Sequence, residues 1–290
     1  MTRDKRGFIG RDTFSLQNAP AAGAAVAVLF CVGVAMLPSA RLGSALGAQG
    51  ASAAHLGGAI LRTAGFIALL LLALDIGCDS FCFRAPARAW LWCLPFAAVA
   101  VNNAPLIGLA DGSVTVTASA GACALFAYHC LAVGLMEETA FRGIVLPLLL
   151  HAFPQTRRHA FAAVVLSSAL FGAAHFVNLF TAPFPAVLAQ VGYSFLVGCM
   201  CAVTFLVTRN VWAGALLHAL YNFCGLIADE LGSGQTWDAA RIALTVAVGA
   251  AAAGYGVFLF RKKARIRQAG ILRKKESGTE QEEQGEEKLP

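Results

Sequence analysis

Long apolar segments, separated by short polar stretches, constrain this chain more than any other feature. Each is long enough to cross the hydrocarbon core of a bilayer as an α-helix. They cover residues 21–37, 56–76, 89–110, 121–152, 160–176, 186–208, 211–228 and 239–260. Because lipid offers no hydrogen bonds, the backbone groups of such segments must be satisfied within helices. We therefore predict an all-α polytopic membrane protein with about eight transmembrane helices.

The overall composition leads to the same class. Hydrophobic residues make up 58% of the chain and charged residues 13%, whereas about 25% of a soluble domain is charged. The net charge of +6 comes with basic residues that flank apolar segments, so it indicates membrane topology. We expect the lipid bilayer as a partner and no nucleic acid.

The basic residues in the loops and near the ends of the apolar segments are distributed unequally between the two sides of the membrane. One side, which carries both termini, has Arg84, Arg88, Arg157, Arg158, Arg209 and the cluster Arg261, Lys262, Lys263, Arg265 and Arg267. The opposite side has Arg41, Arg62 and Arg241 beside several acidic residues. By the positive-inside rule, both termini are predicted to be cytoplasmic. The Ala-rich composition, with more Arg than Lys, suggests a bacterial cell membrane.

The chain divides into five predicted regions. They are a basic cytoplasmic segment (1–18), transmembrane helices 1–3 (19–120), a helical core that carries the polar motifs (121–230), a last transmembrane helix (231–262) and a basic, then acidic cytoplasmic tail (263–290). The Glu- and Gln-rich end of the tail is expected to be disordered.

Three charged residues lie close together in the otherwise apolar fourth segment. Ionisable side chains at bilayer depth are costly and are normally paired and functional. Glu138 and Arg142 are four residues apart, so they share a helix face and can neutralise each other. Glu137 points about 100° away around the helix. Another part of the fold is therefore expected to meet Glu137.

Two further polar motifs interrupt later apolar segments. Phe171 and His175 lie in the fifth, and His218 and Asn222 in the seventh, each pair four residues apart. At a rise of about 1.5 Å per residue, Glu137, His175 and Asn222 lie about 22, 26 and 20 Å from the terminal side. We therefore predict that Glu137, His175, His218 and Asn222 share one buried polar pocket, enclosed by the transmembrane helices.

This set of side chains suits hydrolysis without a side-chain nucleophile. A buried carboxylate can act as a general base on water, a histidine can share that water, and His and Asn donors can stabilise an oxyanion. The chain has no Gly-x-Ser-x-Gly and no His-Glu-x-x-His motif, which are typical of serine hydrolases and zincins. Glu137, His175 and His218 also form a possible zinc ligand set. His129 matches no motif, and we expect it to pack or to lie at the interface.

The three motifs, in this order on separate apolar segments, resemble those of the CAAX-processing and bacteriocin-immunity (CPBP, or Abi) family of intramembrane proteases. That family is similar to the Ras-converting prenyl-protein endopeptidase. The resemblance extends from about residue 121 to residue 229. It implies an eight-helix fold, an active-site pocket and a glutamate-activated water, with no metal cofactor.

Carried over by position, the family pattern gives each residue a role. Glu137 would be the catalytic base, His175 would share its water, and His218 and Asn222 would form the oxyanion hole. Glu138, Arg142 and Phe171 would support the site. The implied substrate is a membrane-associated peptide or protein, which we expect to be presented from the cytoplasmic side.

Two other functions use the same residues differently. A non-catalytic immunity or scaffold protein of the family would carry the same motifs. A proton-coupled transporter would use the Glu and His residues as a relay, but transporters commonly show internal repeats, and we find none in this chain.

Overall fold

The computed structural model describes residues 16, 19–78, 81, 86–234, 237 and 239–265. Most of the predicted N-terminal segment 1–18 and of the tail 263–290 lies outside this range. The elements are α1 Pro20–Ala35, α2 Ser39–Ala45, α3 Ala51–Ile76, α4 Ala87–Leu91, α5 Pro95–Asn102, α6 Leu106–Asp111, β1 Val114–Val116, α7 Ala120–Glu138, a π-helix Thr139–Val145, α8 Leu146–Ala152, α9 Arg157–Ala174, a 3-10 helix His175–Phe180, α10 Phe184–Thr208, α11 Val211–Leu231, β2 Gly232–Gly234 and α12 Ala239–Lys262.

The architecture is that of an all-α polytopic membrane protein, as predicted. Within the described residues, six helices are long and apolar enough to cross a membrane, and α1 with α2, bent by 52°, is a possible seventh span. The predicted number of eight is not confirmed. Two predicted spans account for the difference in number. The first ends after 16 residues at Ala35, and the third is not one continuous helix.

The third predicted span, 89–110, is broken into the short helices α4, α5 and α6. Pro95 begins α5 and Pro105 precedes α6, and proline in a helix interior removes a backbone hydrogen bond and clashes with the preceding turn. Two side chains at the break between α5 and α6 form hydrogen bonds with neighbouring helices. Asn102 donates to Thr245 Oγ1 at 3.2 Å, and Asn103 donates to the carbonyl of Tyr221 at 2.9 Å. These bonds attach the broken segment to α11 and α12.

The fourth predicted span is a continuous helix of 33 residues, Ala120–Ala152. Its middle, Thr139–Val145, is a π-helix, a wider local form that is frequent at functional sites. The hydroxyl of Ser167 on α9 donates to the carbonyl of Phe141 in this segment at 3.2 Å. A neighbouring helix therefore satisfies a carbonyl at the place where the regular hydrogen-bond pattern changes.

The helices place the two described ends of the bundle on one face, which we call the terminal face. The residue Arg265, beyond α12, donates its N–H to Leu206 O near the end of α10, and Arg157 at the start of α9 donates to Phe260 O on α12. On the opposite face, β1 pairs with β2 in antiparallel register. The position of a residue along a long helix can therefore be described as nearer the terminal face or nearer the opposite face.

A close approach between α7 and α11 fixes the elements that carry the polar motifs. A Cβ added to Gly134 on α7 would lie 2.6 Å from the carbonyl oxygen of Ala215 on α11. The absence of a side chain at Gly134 therefore lets the two backbones pack against each other.

Replacing Gly134 with alanine should destabilise the bundle because its methyl group would meet the α11 backbone. Overpacking of this kind costs about 1–3 kcal/mol, and we expect the Gly134→Ala protein to melt about 5 °C lower in detergent. Gly192→Ala on α10 is the matched control, since nothing lies within 4 Å of the added methyl group. Equal melting temperatures for both variants would contradict the proposed close packing.

Candidate active site

A buried ion pair forms the centre of the site. The side chains of Glu138 and Arg142 are 0% and 1% exposed, and Arg142 Nη1 donates to Glu138 Oε1 at 2.9 Å. Arg142 Nη2 donates to the carbonyl of Gly198 on α10 at 2.8 Å. The pair therefore links the π-helix to a second helix, and each charge has a partner as its burial requires.

The ring of Phe171 on α9 lies against the guanidinium of Arg142, with Cζ 4.7 Å from the ring centroid. The Phe141 ring meets Phe171 edge to face at 5.1 Å. Cation–π contact and aromatic packing favour this arrangement. The aromatic residue of the Phe-x-x-x-His motif thus contacts the cation of the glutamate motif.

His218 on α11 lies between the two glutamates. Its Nδ1 is 3.1 Å from Glu138 Oε1 and its Nε2 is 3.7 Å from Glu137 Oε2. An ionised carboxylate only accepts hydrogen bonds, so Nδ1 carries the proton in the bond to Glu138. Glu138 therefore orients the His218 ring so that Nε2 points towards Glu137.

Glu137 faces a cavity. Its side chain is 17% exposed, and its Oε2 has no hydrogen-bond partner in the described residues although that atom is buried. The part of the fold that meets Glu137 is the His218 ring, at a distance longer than a hydrogen bond. The exposed part of the Glu137 side chain therefore faces the cavity, while Oε2 lies in its wall beside His218.

His175 ends α9 and begins the 3-10 helix. Its Nδ1 lies 3.0 Å from the carbonyl of Phe171. Since a carbonyl only accepts, Nδ1 carries the proton, and Nε2 of the neutral ring is an acceptor. The rings of His175 and His218 both meet the Phe171 ring edge to face, at 5.1 and 5.6 Å.

One cavity of about 700 Å³ contains all four predicted catalytic side chains in its wall: Glu137, His175, His218 and Asn222. It also exposes Tyr221, the neighbour of Asn222. Glu138 and Arg142 do not line the cavity and lie behind its wall. The predicted site residues therefore form two groups: those that line the cavity and those that pack behind its wall.

The cavity extends from mid-depth towards the face opposite the terminal face. Its deepest lining residues are Phe141 and Val197, and the others include Met36 just beyond α1 and Asp229 near the end of α11. The cavity therefore does not open on the terminal face. Presentation of the substrate from the cytoplasmic side stays a prediction, because it depends on which side of the membrane the termini occupy.

Among the described residues, no three His, Cys, Asp or Glu side chains are arranged to hold a metal ion. The alternative zinc set of Glu137, His175 and His218 is thus not assembled as a ligand cluster. One reason is visible at His218, whose Nδ1 is bonded to Glu138 and whose Nε2 faces Glu137.

Two cavity residues were missed as site candidates. Arg62 was counted with the charges of the opposite side and His129 was expected in a packing role, yet both line the cavity. Arg62 already lies six residues inside the predicted span 56–76. Helix α3 begins at Ala51, five residues before that span, so Arg62 lies deeper still. The signal that could have placed it correctly is its own position within the apolar segment.

A family model described as Rce1-like, type II CAAX prenyl endopeptidase, matches residues 119–224. This range contains every predicted site residue, and the match confirms the family resemblance for this part of the chain. It is a protease family, which supports a membrane-embedded peptidase. No curated protein and no solved structure matches the chain.

Removing the cation of the buried pair should destabilise the protein strongly. Arg142→Gln leaves Glu138 without its buried counter-charge, which costs about 3–5 kcal/mol. The double variant Glu138→Gln/Arg142→Gln contains no uncompensated charge from this pair and should melt above Arg142→Gln alone. Melting temperatures of both variants in detergent test this coupling. A double variant that melts at or below the temperature of Arg142→Gln would contradict it.

Proposed function

We propose that this protein is an intramembrane endopeptidase that hydrolyses peptide bonds of membrane-associated proteins or peptides with a water activated by Glu137. The observation that carries the proposal is the partly exposed carboxylate side chain of Glu137 in the wall of a cavity shared with His175, His218 and Asn222. The match of residues 119–224 to a protease family supports the same reaction class.

In the proposed reaction, one water is held by two acceptors. One of its hydrogens bonds to the Glu137 carboxylate and the other to His175 Nε2. Glu137 takes a proton as the water oxygen attacks the peptide carbonyl carbon, and this general-base step is worth about 10²–10⁴-fold. The proton then passes to the leaving nitrogen, the C–N bond breaks, and a carboxylic acid and an amine are released.

The carbonyl oxygen becomes negative when the water attacks, and it needs hydrogen-bond donors. We assign these to the side-chain amide of Asn222 and to His218 Nε2. Since Nδ1 of His218 donates to Glu138, Nε2 can donate only in the imidazolium form. Glu138 would stabilise that form. Losing one oxyanion donor typically costs about 10²–10³-fold in kcat.

Glu138 and Arg142 are positioning residues in this proposal. They do not line the cavity, and they act by holding the His218 ring and the contact between the π-helix and α10. Phe171 packs against the rings of both His175 and His218 and so supports both histidines. We assign no step to a metal ion.

The direction of the cavity bears on how the substrate arrives. If both termini are cytoplasmic, as the basic residues predict, the lining extends from mid-depth towards the non-cytoplasmic face. We propose that the substrate enters from that face.

Glu137→Gln should abolish cleavage, by at least about 10³-fold, while leaving the protein folded, because the amide cannot accept the water proton. The measurement is cleavage of a quenched peptide library in proteoliposomes, with and without a strong chelator. Asp111→Asn is the control, since it makes the same chemical change at an exposed position outside the cavity.

Three outcomes of that experiment would contradict the proposal. Retained cleavage in the Glu137→Gln protein would remove Glu137 as the base. Loss of wild-type cleavage with the chelator would make Glu137, His175 and His218 metal ligands. Cleavage in no arm would favour a non-catalytic membrane scaffold or a proton-coupled carrier.

The entry side has its own test. A membrane-impermeant quenched peptide, taken from the library, should be cleaved at least about tenfold faster by sealed right-side-out vesicles than by inverted ones, since an apolar bilayer blocks its passage. A protease-sensitive C-terminal tag reports the orientation independently. Faster cleavage in inverted vesicles with the tag exposed would show entry from the cytoplasmic side.

A further inference from the structure

Basic side chains from three elements meet on the terminal face, at the end of α12. Lys263, the first residue after α12, places its Nζ 4.2 Å from the centroid of the Trp92 ring. Arg88 precedes Trp92 by one helical turn, since the Trp92 N–H donates to the Arg88 carbonyl. Arg157, the first residue of α9, donates Nη1 to the carbonyl of Phe260, one turn before Lys263. We call Arg88, Arg157 and Lys263 the basic cluster.

No carboxylate neutralises the basic cluster within its own part of the bundle. Helices α4, α8, α9, α10 and α12 contain no aspartate or glutamate, and neither do the connecting residues 92–94, 153–156 and 209–210. The salt bridges of the described residues include no member of the cluster. Asp75 is an exposed acid near the terminal face, but it belongs to α3. This part of the face is therefore positively charged.

The donors of the cluster are accessible. Arg88 and Arg157 are exposed, and Lys263 is half-buried. Arg157 uses one N–H group for the Phe260 carbonyl, and a guanidinium has five. The N-terminus of α9, where Arg157 lies, adds the positive end of a helix dipole. Arginine and lysine donors bind phosphate oxygens well, so the cluster suits a phosphate group.

Exposed apolar side chains lie next to the cluster, on the side of the membrane interior. Leu91, Trp92 and Phe258 are exposed, and the rings of Trp92 and Phe258 lie 6.4 Å apart. Tyr255 stacks on Phe258 at 5.9 Å and donates its hydroxyl to the carbonyl of Trp92. Phe258 precedes Lys263 by five residues, or about 7 Å along the helix axis. Trp and Tyr are typical of the headgroup level of a bilayer.

We propose that an anionic phospholipid binds at this site, with its phosphate at the basic cluster and its acyl chains over Trp92 and Phe258. The order of the contacts matches the molecule, because phosphate donors lie at the face and an apolar surface lies deeper. The bilayer that the bundle crosses brings such headgroups beside the cluster at high local concentration. This inference does not depend on whether the protein cleaves peptides.

The test measures which lipid lies beside Trp92. The Trp212→Phe/Trp237→Phe protein retains Trp90 and Trp92 as its tryptophans. It is reconstituted in phosphatidylcholine nanodiscs that contain a small fraction of brominated phosphatidylglycerol or, in parallel, the same fraction of brominated phosphatidylcholine. Bromine on an acyl chain quenches tryptophan fluorescence on contact. Since each basic residue near a membrane surface is worth about fivefold in anionic-lipid binding, we expect at least about a fivefold preference for phosphatidylglycerol.

Substitutions in this background locate the lipid site. Arg88→Gln/Lys263→Gln should reduce the preference to about twofold or less, because two of the three charges are lost. Arg88→Lys/Lys263→Arg keeps both charges and should retain most of it. Arg41→Gln, which removes an exposed charge on the opposite face, should leave the preference unchanged. Both lipids are compared within each variant, so an altered Trp92 signal does not affect the ratio. Melting temperatures confirm that each variant is folded.

Three results would overturn the proposal. The first is equal quenching by the two lipids, or a preference that survives Arg88→Gln/Lys263→Gln. The second is a preference that appears only after removal of residues 276–290, since the glutamates of that segment would then be the occupant of the cluster. The third is loss of the preference when inorganic phosphate is added at constant ionic strength, which would identify a site for free phosphate.

Discussion

The buried pair of Glu138 and Arg142 is the interaction on which the rest of the site depends. Charges at mid-membrane are tolerated when they are neutralised by a partner, and each group here has a second contact, although Glu138 Oε2 and Arg142 Nε have no hydrogen-bond partner in the described residues. Arg142 reaches Gly198 on α10, and Glu138 reaches His218 on α11. Two neighbouring helices are therefore tied to the π-helix by the same neutral pair, which leaves Glu137 free to face the cavity.

The local backbone explains how this pair fits between the helices. A π-helical segment widens the helix and changes which side chains share a face, and Arg142 lies within it. Glycines on the facing helices also leave space for the two side chains. A Cβ on Gly198 would lie 3.0 Å from Arg142 Nη2, and a Cβ on Gly214 would lie 3.1 Å from Glu138 Oε2. The absence of side chains at Gly198 and Gly214 therefore leaves room for the side chains of Arg142 and Glu138.

Spacing in the sequence was enough to predict the ion pair, the shared depth of the three motifs and the long fourth helix, because each follows from the geometry of one helix. It was not enough for contacts between helices. The bond from His218 to Glu138 depends on how α7 and α11 pack, and the third span was misjudged because Pro95 and Pro105 break an apolar segment. Arg62 was counted with the charges of the opposite side although it lies within the predicted span 56–76, and the earlier start of α3 at Ala51 places it deeper still.

The distribution of charge along the cavity gives the proposed site a direction. At the inner end, Glu138 and Arg142 cancel, so Glu137 is the negative group that faces the cavity. Further out, Arg62 is a positive group of the lining. A negative group of a molecule in the cavity is therefore repelled near Glu137 and attracted near Arg62. In a low-dielectric cavity this difference in charge favours one orientation of the proposed substrate over the reverse one.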